Sequence, residues 1–277
     1  MNGESSSHRP SWDTVTLTTI GYVHSPRFHR FEAPRQSTLA TETTGTIELK
    51  AHCNFETALA DLKGFERIWV VYLFHLNQTW SPKVRPPIAP PDKDKISVFA
   101  TRSPHRPNPS GLSCVRLEEI KGRVLYISQF DMLDGTPVLD IKPYIPMADA
   151  FPESTCGWLD QAGAEHFDLH FSPEFLTDAE RLIHCGGVDV INFCRIQLSV
   201  NPLQRERKRL TCLDETLQRY AIGCRTWKIE FCLDAKMHLI HIEKLSSNYT
   251  AAELALGTAD PYADKDIHRL WLQQERN

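Results

Sequence analysis

Residues 113–130, SCVRLEEIKGRVLYISQF, decide the fold class of this chain. Residues 113–120 and 123–130 are both rich in β-branched and aromatic side chains, which favour strands. Lys121-Gly122 stands between them, and glycine readily takes the positive φ that a two-residue hairpin turn needs. We therefore predict an antiparallel hairpin with its strands at 113–120 and 123–130.

The region before this hairpin has the same character. Strands are predicted over residues 46–50 and 67–74, and one short helix over 55–62, with Asn54 as its N-cap and Gly64 near its end. Many short strands with few helices are typical of a β-sandwich or a β-barrel. Residues 15–146 are therefore predicted to form one mainly β domain, preceded by a disordered leader over residues 1–14.

An acidic stretch separates this domain from the rest of the chain. Residues 143–180 contain eight Asp and Glu and no Lys or Arg, so they are not suited to contact phosphates. We expect residues 147–172 to be an acidic linker and residues 173–245 to be a small α+β C-terminal domain.

Local signals define the elements of this second domain. A helix is predicted from Ser172-Pro173 to Gly186-Gly187, because a serine N-cap followed by proline favours a helix start. A second helical segment is expected to follow to Ser199, and residues 225–233 and 237–245 are predicted to form a hairpin. In the tail, 246–277, three apolar residues at helical spacing predict a docked helix: Ile267, Leu270 and Trp271.

Composition excludes several classes of protein. A net charge of −4 over 277 residues excludes a strongly basic nucleic-acid coat protein. Nucleic-acid binding at a local basic patch is compatible with this net charge. The longest apolar run, residues 68–74, is far shorter than the roughly 20 residues of a membrane-spanning helix. The polar N-terminus lacks the apolar segment of a secretion signal. We therefore expect an intracellular, cytoplasmic protein with no membrane contact.

The cysteines and histidines do not indicate a disulfide framework or a metal site. The eight cysteines are scattered without a CxxC motif, which is typical of free thiols. His166/His170 and His238/His241 are spaced pairs, but no third ligand follows at a zinc-like spacing. We expect no metal.

A proline-rich loop is the strongest candidate for a site. Eight of the eighteen prolines lie between Pro82 and Pro109, and this segment also carries Arg102 and Arg106. Proline fixes φ, so the two arginines lose little conformational entropy on meeting an anion, although a purely structural turn explains the composition equally well. The chain has no P-loop and no GxGxxG, so a nucleotide would have to bind in loops of a β-structure.

Six motifs in register resemble the TrmO/TsaA-like tRNA methyltransferase family. They are IGYVHSP at 20–26, PRQ at 34–36, VRPP at 84–87, FATRS at 99–103, RPNP at 106–109 followed by Gly111, and DGTPVLDIKPY at 134–144. The resemblance covers roughly residues 18–146, and more weakly residues 173–245. It implies an antiparallel, non-Rossmann β-barrel that works as a homodimer. It also implies methyl transfer from S-adenosylmethionine to N6 of threonylcarbamoyladenosine at position 37 of tRNA, next to the anticodon.

The resemblance also assigns residues. By motif position, the cofactor-binding residues are Pro34, Arg35, Gln36, His75, Leu76, Arg102, Leu112, Asp134, Gly135, Thr136 and Pro137. A base that removes the N6 proton must lie within hydrogen-bond reach, and Asp134 and His75 are the candidates for this catalytic role. Since Arg102 is matched to the cofactor, Arg106 is our candidate for the threonyl carboxylate or an adjacent phosphate.

The chain departs from the family pattern at two places. Ser110 stands where we expect an aliphatic residue, and Asn201-Pro202-Leu203 stands where the family commonly has Asp-Pro-Arg. Further tRNA contacts are expected from the basic run Arg205, Arg207, Lys208 and Arg209, which is equally typical of a solvated helix face. Two other functions stay open, a non-catalytic S-adenosylmethionine sensor and an RNA-binding adaptor.

Overall fold

The computed structural model describes residues 14–30, 32–33, 44–86, 90, 93–163, 165–185, 187–203, 209–255 and 257–274. The leader expected over residues 1–14 lies outside these residues except for Thr14. Within them the strands are, in chain order, β1 (Gly21–His24), β2 (Thr44–Leu49), β3 (Arg67–Leu73), β4 (Lys83–Val84), β5 (Ile96–Ser97), β6 (Ser110–Lys121), β7 (Val124–Ser128), β8 (Pro137–Pro143), β9 (Asp168–Phe171), β10 (Leu210–Asp214), β11 (Arg219–Cys224), β12 (Trp227–Asp234) and β13 (Leu239–Ser247). The α-helices are α1 (Phe55–Ala58), α2 (Pro146–Asp149), α3 (Pro173–His184), α4 (Val190–Leu198) and α5 (Lys265–Gln274).

Six strands close into an antiparallel barrel in the order β1-β2-β7-β6-β3-β8. The prediction of a mainly β, non-Rossmann barrel is therefore confirmed. Inward-facing side chains alternate along each strand and fill the barrel, as Val70, Val115, Leu125 and Ile127 show with 0% exposure each. Burying a side chain of this size contributes about 1.5–3 kcal/mol, so these alternating positions are the main source of the barrel's stability.

The central hairpin forms as predicted, but its turn lies one residue later. Lys121 pairs with Val124, so the two turn residues are Gly122 and Arg123 rather than Lys121 and Gly122. Gly122 has φ 58° and still supplies the left-handed conformation. Strand-favouring residues continue up to the turn on both sides, so composition does not fix where the turn lies. The pairing of residues across the hairpin sets the position of the turn.

The predicted helix over 55–62 is only partly correct. Its first turn is α1, and Ala60–Leu62 continue as a short 3-10 helix. Asn54 does not cap a backbone N–H. Its Oδ1 accepts a hydrogen bond from the Thr57 hydroxyl at 2.8 Å, and its own φ is 56°.

The C-terminal region is a five-stranded sheet in the order β10-β11-β12-β13-β9, packed against helices. The N-cap of α3 is Ser172, whose hydroxyl accepts from the Phe175 N–H at 3.1 Å, as its sequence signal predicts. In α5, Trp271 is buried at 3% exposure and Ile267 packs on the core, but Leu270 is 54% exposed, which corrects one of the three expected docking residues.

The segment expected to be a linker has structure of its own. Its last residues form β9, which pairs in parallel with β13 and so belongs to the C-terminal sheet. Earlier in the segment, the Trp158 indole donates to the Ala100 carbonyl at 2.8 Å. The acidic segment therefore contacts both the barrel loops and the C-terminal sheet.

Gly111 offers a test of the barrel packing. A Cβ at this position would overlap the Tyr72 ring on the neighbouring strand, so Gly111→Ala should destabilise the protein by about 1–3 kcal/mol. Urea unfolding monitored by Trp fluorescence measures the change. Gly163→Ala is the matched control, since nothing lies within 4 Å of its Cβ position, and it should shift stability by under about 0.5 kcal/mol. Equal midpoints for the two variants would contradict the packing described here.

Candidate active site

The loops at one end of the barrel carry most of the described cofactor residues that the resemblance implies. Because neighbouring barrel strands are antiparallel, the end where β1 and β3 finish is the end where β2, β6 and β8 begin. Three connections therefore meet there: residues 25–43, 74–109 and 129–136. The expected sites at 34–36, 75–76, 102 and 134–137 all belong to these connections or border them.

The turn at Asp134–Pro137 is tied to the end of β1. Asp134 accepts a hydrogen bond from the Ser25 N–H at 3.0 Å through Oδ1, and its own N–H donates to the Arg27 carbonyl at 2.8 Å. Gly135 has φ 70° and donates to the Val23 carbonyl at 2.9 Å, while Thr136 is buried. The carboxylate of Asp134 is thus held at the rim of the barrel and is 34% exposed.

His75 and Leu76 directly follow β3 at the same rim. Burial lowers the pKa of the His75 imidazole, and the positive charge of Arg30 acts in the same direction, while the Asp134 carboxylate opposes them. The structure therefore brings Arg30 and Asp134 within electrostatic reach of His75. The two base candidates from the sequence lie at one site, and at pH 7 the imidazole is neutral and able to accept a proton.

Asn77 adds a donor that the sequence did not indicate. Its side-chain nitrogen is buried and has no hydrogen-bond partner among the residues the structure describes. Buried amide groups are nearly always paired in proteins, so a donor left alone two residues after His75 is suited to an acceptor atom of a ligand. S-adenosylmethionine offers such acceptors in its carboxylate, ribose hydroxyls and adenine nitrogens, so this feature fits the cofactor.

Residues 98–109 carry Arg102 and Arg106 and are called the arginine loop below. Hydrogen bonds within this loop hold its conformation. One terminal nitrogen of Arg106, Nη1, donates to the Thr101 carbonyl at 2.8 Å and to the Val98 carbonyl at 3.2 Å. Its guanidinium carbon lies 5.7 Å from the centre of the exposed Phe99 ring. Arg102 is exposed on the same loop. Part of the Arg106 side chain therefore holds the loop that presents Arg102.

A buried polar cluster beneath this rim was also missed by the sequence reasoning. Ser113 on β6 hydrogen-bonds the Asp131 carboxylate and also reaches the Tyr72 hydroxyl at 3.3 Å. Burial raises the pKa of Asp131, against the Ser113 hydrogen bond and the charges of Arg27 and Arg102. The charge of Arg102 acts on Asp131, so the exposed loop and this half-buried carboxylate are within electrostatic reach of each other.

Arg27 is the buried cation of this cluster. It is 3% exposed, and burial lowers its pKa to about 10 although Asp131, Asp189 and Glu32 oppose the shift. Nη1 donates to the Phe130 carbonyl at 2.9 Å, while Nε and Nη2 have no hydrogen-bond partner within the described part of the chain. At pH 7 this guanidinium is still charged, so it gives the site a fixed positive field.

Several expected residues are separate from this site or lie outside the described residues. Pro34, Arg35, Gln36, Arg205, Arg207 and Lys208 are outside them. Leu112 lies on β6 and is 58% exposed. Arg209 directly precedes β10 of the C-terminal sheet, and its carbonyl accepts from the Gly223 N–H at 3.0 Å. Within the described residues, no cluster of three His, Cys, Asp or Glu could hold a metal ion, and no helix is long and apolar enough to cross a membrane.

The protonation of His75 is directly measurable. Its NMR titration midpoint should lie below 6.5, because burial and the Arg30 charge disfavour the imidazolium. Since the unfolded chain would bind this proton first, the folded state should lose stability as the pH falls below 6.5. His75→Gln assigns the signal and should remove that part of the pH dependence. A midpoint at or above 6.5 would contradict the electrostatics described here.

Comparisons with known proteins identify the family of this chain. The family model for the tRNA-methyltransferase O N-terminal domain matches residues 22–150. A relative from Escherichia coli, tRNA (adenine(37)-N6)-methyltransferase, is 37% identical over 222 residues, 76% of this chain and 90% of the relative. The rat protein of the same name is 38% identical over 148 residues, which span 34% of its length. The crystal structure of TrmO from Pseudomonas aeruginosa superposes with a TM-score of 0.60 at 29% identity, covering 84% of this chain and 99% of that one. The chain belongs to the tRNA-methyltransferase O family.

Proposed function

We propose that this chain methylates N6 of adenine 37 in tRNA, and that the adenine it accepts already carries a threonylcarbamoyl group. As a member of its family, the chain is an S-adenosylmethionine-dependent tRNA methyltransferase. The observation that carries the proposal is the meeting of the Asp134–Pro137 turn, His75 and the arginine loop at one end of the barrel.

The cofactor supplies an electrophilic methyl group on a sulfonium, so the protein mainly has to align donor and acceptor and exclude water. The residues proposed to hold it are those implied by motif position, from Pro34 to Pro137. The unpaired donor of Asn77 and the exposed guanidinium of Arg102 join them, because both can meet acceptor atoms of the cofactor.

The acceptor nitrogen sets the second requirement. N6 is bonded to both the purine and a carbonyl, so its lone pair is a poor nucleophile until its proton is removed. His75 is neutral at pH 7 because its pKa is lowered, and it lies in the field of the Asp134 carboxylate, which favours the proton it would receive. We propose His75 as the base and Asp134 as the group that stabilises the resulting imidazolium.

A threonyl carboxylate needs a cation in a protein with a net charge of −4. Arg106 stays our candidate, and because Nη1 is engaged with loop carbonyls, the other terminal nitrogen is the one that would receive the anion. A charge-assisted contact of this kind is worth about 1.5–3 kcal/mol.

Two further parts of the proposal concern assembly and tRNA. The resemblance implies a homodimer with the cofactor near its interface, and the exposed side chain of Phe99, on the same loop as Arg102, is consistent with a covering partner. The basic run at 205–209 is proposed to contact tRNA phosphates, which attract Lys and Arg at any sequence. Cytoplasmic localisation is likewise proposed, since the tRNA pool lies there.

The substrate proposal predicts a sharp difference between two tRNAs. The purified protein with methyl-labelled S-adenosylmethionine should methylate tRNA that carries threonylcarbamoyladenosine at position 37, and mass spectrometry of the nucleosides should locate the methyl group on N6. The same tRNA transcribed with plain adenosine is the control and should react about 10- to 100-fold more slowly, because the carboxylate contact is absent. Equal rates would contradict the threonylcarbamoyl substrate, and cofactor binding without methylation of either tRNA would indicate a sensor.

The two arginines of the loop should separate by function. Arg102→Ala should weaken S-adenosylmethionine binding by about 10- to 100-fold, since one charge-assisted contact is lost. Arg106→Ala should lower kcat/KM for tRNA by a similar factor and change cofactor affinity by no more than a few-fold, because prolines and the Trp158 bond to Ala100 also hold the loop. Calorimetric titration and single-turnover kinetics measure the two effects. An equal loss of cofactor affinity in both variants would mean that the loop acts as one unit.

A further inference from the structure

Residues 25–30 and Glu32 contact the C-terminal region. The His29 ring meets the Tyr262 ring edge-on with centroids 5.0 Å apart. The charge of Arg27 is within reach of Asp189, the N-cap of α4. Most directly, the Arg225 Nε donates to Glu32 Oε1 across the junction. This short segment thus meets the C-terminal region through three different side chains.

Glu32 is the centre of this contact. Its Oε2 accepts from the backbone N–H groups of Phe28 at 2.9 Å and His29 at 3.2 Å, and its own N–H donates to the His29 carbonyl at 2.9 Å. The remaining oxygen, Oε1, receives Arg225, and the Glu32 side chain is only 4% exposed. One carboxylate therefore shapes the turn at 28–32 and attaches it to the C-terminal sheet.

Arg225 is held rigidly on its own side. It lies in the tight turn between β11 and β12 with φ 52°. The next residue, Thr226, is buried, and its hydroxyl bonds Asp264 at 2.5 Å and the His268 Nε2 at 2.8 Å. The His268 ring stacks on Trp227 at 3.9 Å. Asp264 and His268 of α5 and its N-terminal flank therefore hold the turn between β11 and β12 in place, and Arg225 extends from this rigid turn.

Both members of the pair are ionised in the folded protein. Burial alone would raise the pKa of Glu32, but the Arg225 hydrogen bond and charge, with the two backbone N–H groups, bring it below its ordinary value. Burial alone would lower the pKa of Arg225, but the bond and charge of Glu32 raise it. A buried pair of this kind contributes little net stability, yet removal of one partner leaves an unpaired buried charge.

The same segment borders the cofactor site at both ends. At one end the Ser25 N–H binds the Asp134 carboxylate, and at the other end Ala33 alone separates Glu32 from Pro34, the first of the proposed cofactor residues at 34–36. We propose that Arg225 is a positioning residue for the cofactor site: through Glu32 it fixes the segment whose Ser25 N–H holds the Asp134 carboxylate, so the C-terminal region is required for cofactor affinity. This inference rests on the proposed function.

The test compares cofactor affinity with tRNA affinity in the full-length protein. Arg225→Gln should weaken S-adenosylmethionine binding in calorimetry by about 10-fold or more, because Glu32 loses its cation and the turn at 28–32 loosens. Arg225→Lys keeps the charge without the Nε geometry and should show an intermediate loss. The KM for the cofactor should rise correspondingly, whereas tRNA affinity without cofactor should change by less than about threefold.

Arg219→Gln is the matched control, since Arg219 makes an exposed ion pair with Glu243 at 2.9 Å on the same sheet, and it should leave cofactor affinity within about twofold. If Arg225→Gln is not folded by circular dichroism, Arg225→Lys decides: a threefold or greater loss of cofactor affinity supports the inference, and wild-type affinity overturns it. A lowered melting temperature with unchanged cofactor affinity also overturns it. Wild-type protein that fails to bind S-adenosylmethionine would instead contradict the proposed function.

Discussion

The pairing of β1 with β8 closes the barrel, and the site depends on that closure. Gly21 lies opposite Val138 and Tyr22 opposite Pro137, which brings the start of β8 beside the end of β1. A glycine is needed at position 21, because a Cβ there would lie 2.8 Å from the Leu49 Cα on the other neighbouring strand. Without this closure the Asp134–Pro137 turn would lie at an open sheet edge. With it, Asp134 meets the Ser25 N–H, and the connection that leads to residues 34–36 starts at the rim where His75 also lies.

Closure also encloses charge, and the enclosed charges give the site its electrostatic character. Arg27 and Asp131 each have a pKa shifted toward the neutral form by burial, and each charge opposes the shift of the other. Asp131 accepts the Ser113 hydrogen bond, whereas Nε and Nη2 of Arg27 have no hydrogen-bond partner within the described residues. The site therefore holds preorganised hydrogen-bond donors, the guanidinium of Arg27 and the unpaired amide of Asn77, in a place of low dielectric. Such donors interact strongly with an incoming acceptor because they do not have to reorganise when it binds.

The sequence predicted the parts of this molecule that depend on local patterns and missed those that depend on pairing. The β-branched and aromatic residues along 113–130 and the alternation along 225–233 predicted the hairpins, and Ser172-Pro173 predicted the start of α3. The turn at Gly122-Arg123 was placed one residue early, since register depends on contacts across the hairpin. β9 was missed because its four residues pair with β13, where Asp168 lies opposite Leu239 far along the chain. Asp131 and Asn77 were missed for the same reason: their importance comes from burial and from neighbours on other strands, which no local pattern encodes.

The acceptor side of the site is what separates an enzyme from a protein that only binds the cofactor. Donors such as Asn77 and Arg102 would serve a sensor as well as a methyltransferase, because both must hold the same ligand. A sensor has no use for a proton acceptor, whereas methylation of an amide-like nitrogen needs one that is neutral in the resting protein. Burial and the Arg30 charge keep His75 in that state, and the carboxylate of Asp134 favours the proton once it is transferred. Burial and Arg30 thus hold the imidazole neutral before transfer, and Asp134 stabilises the imidazolium afterwards, which is the pattern expected of a general base.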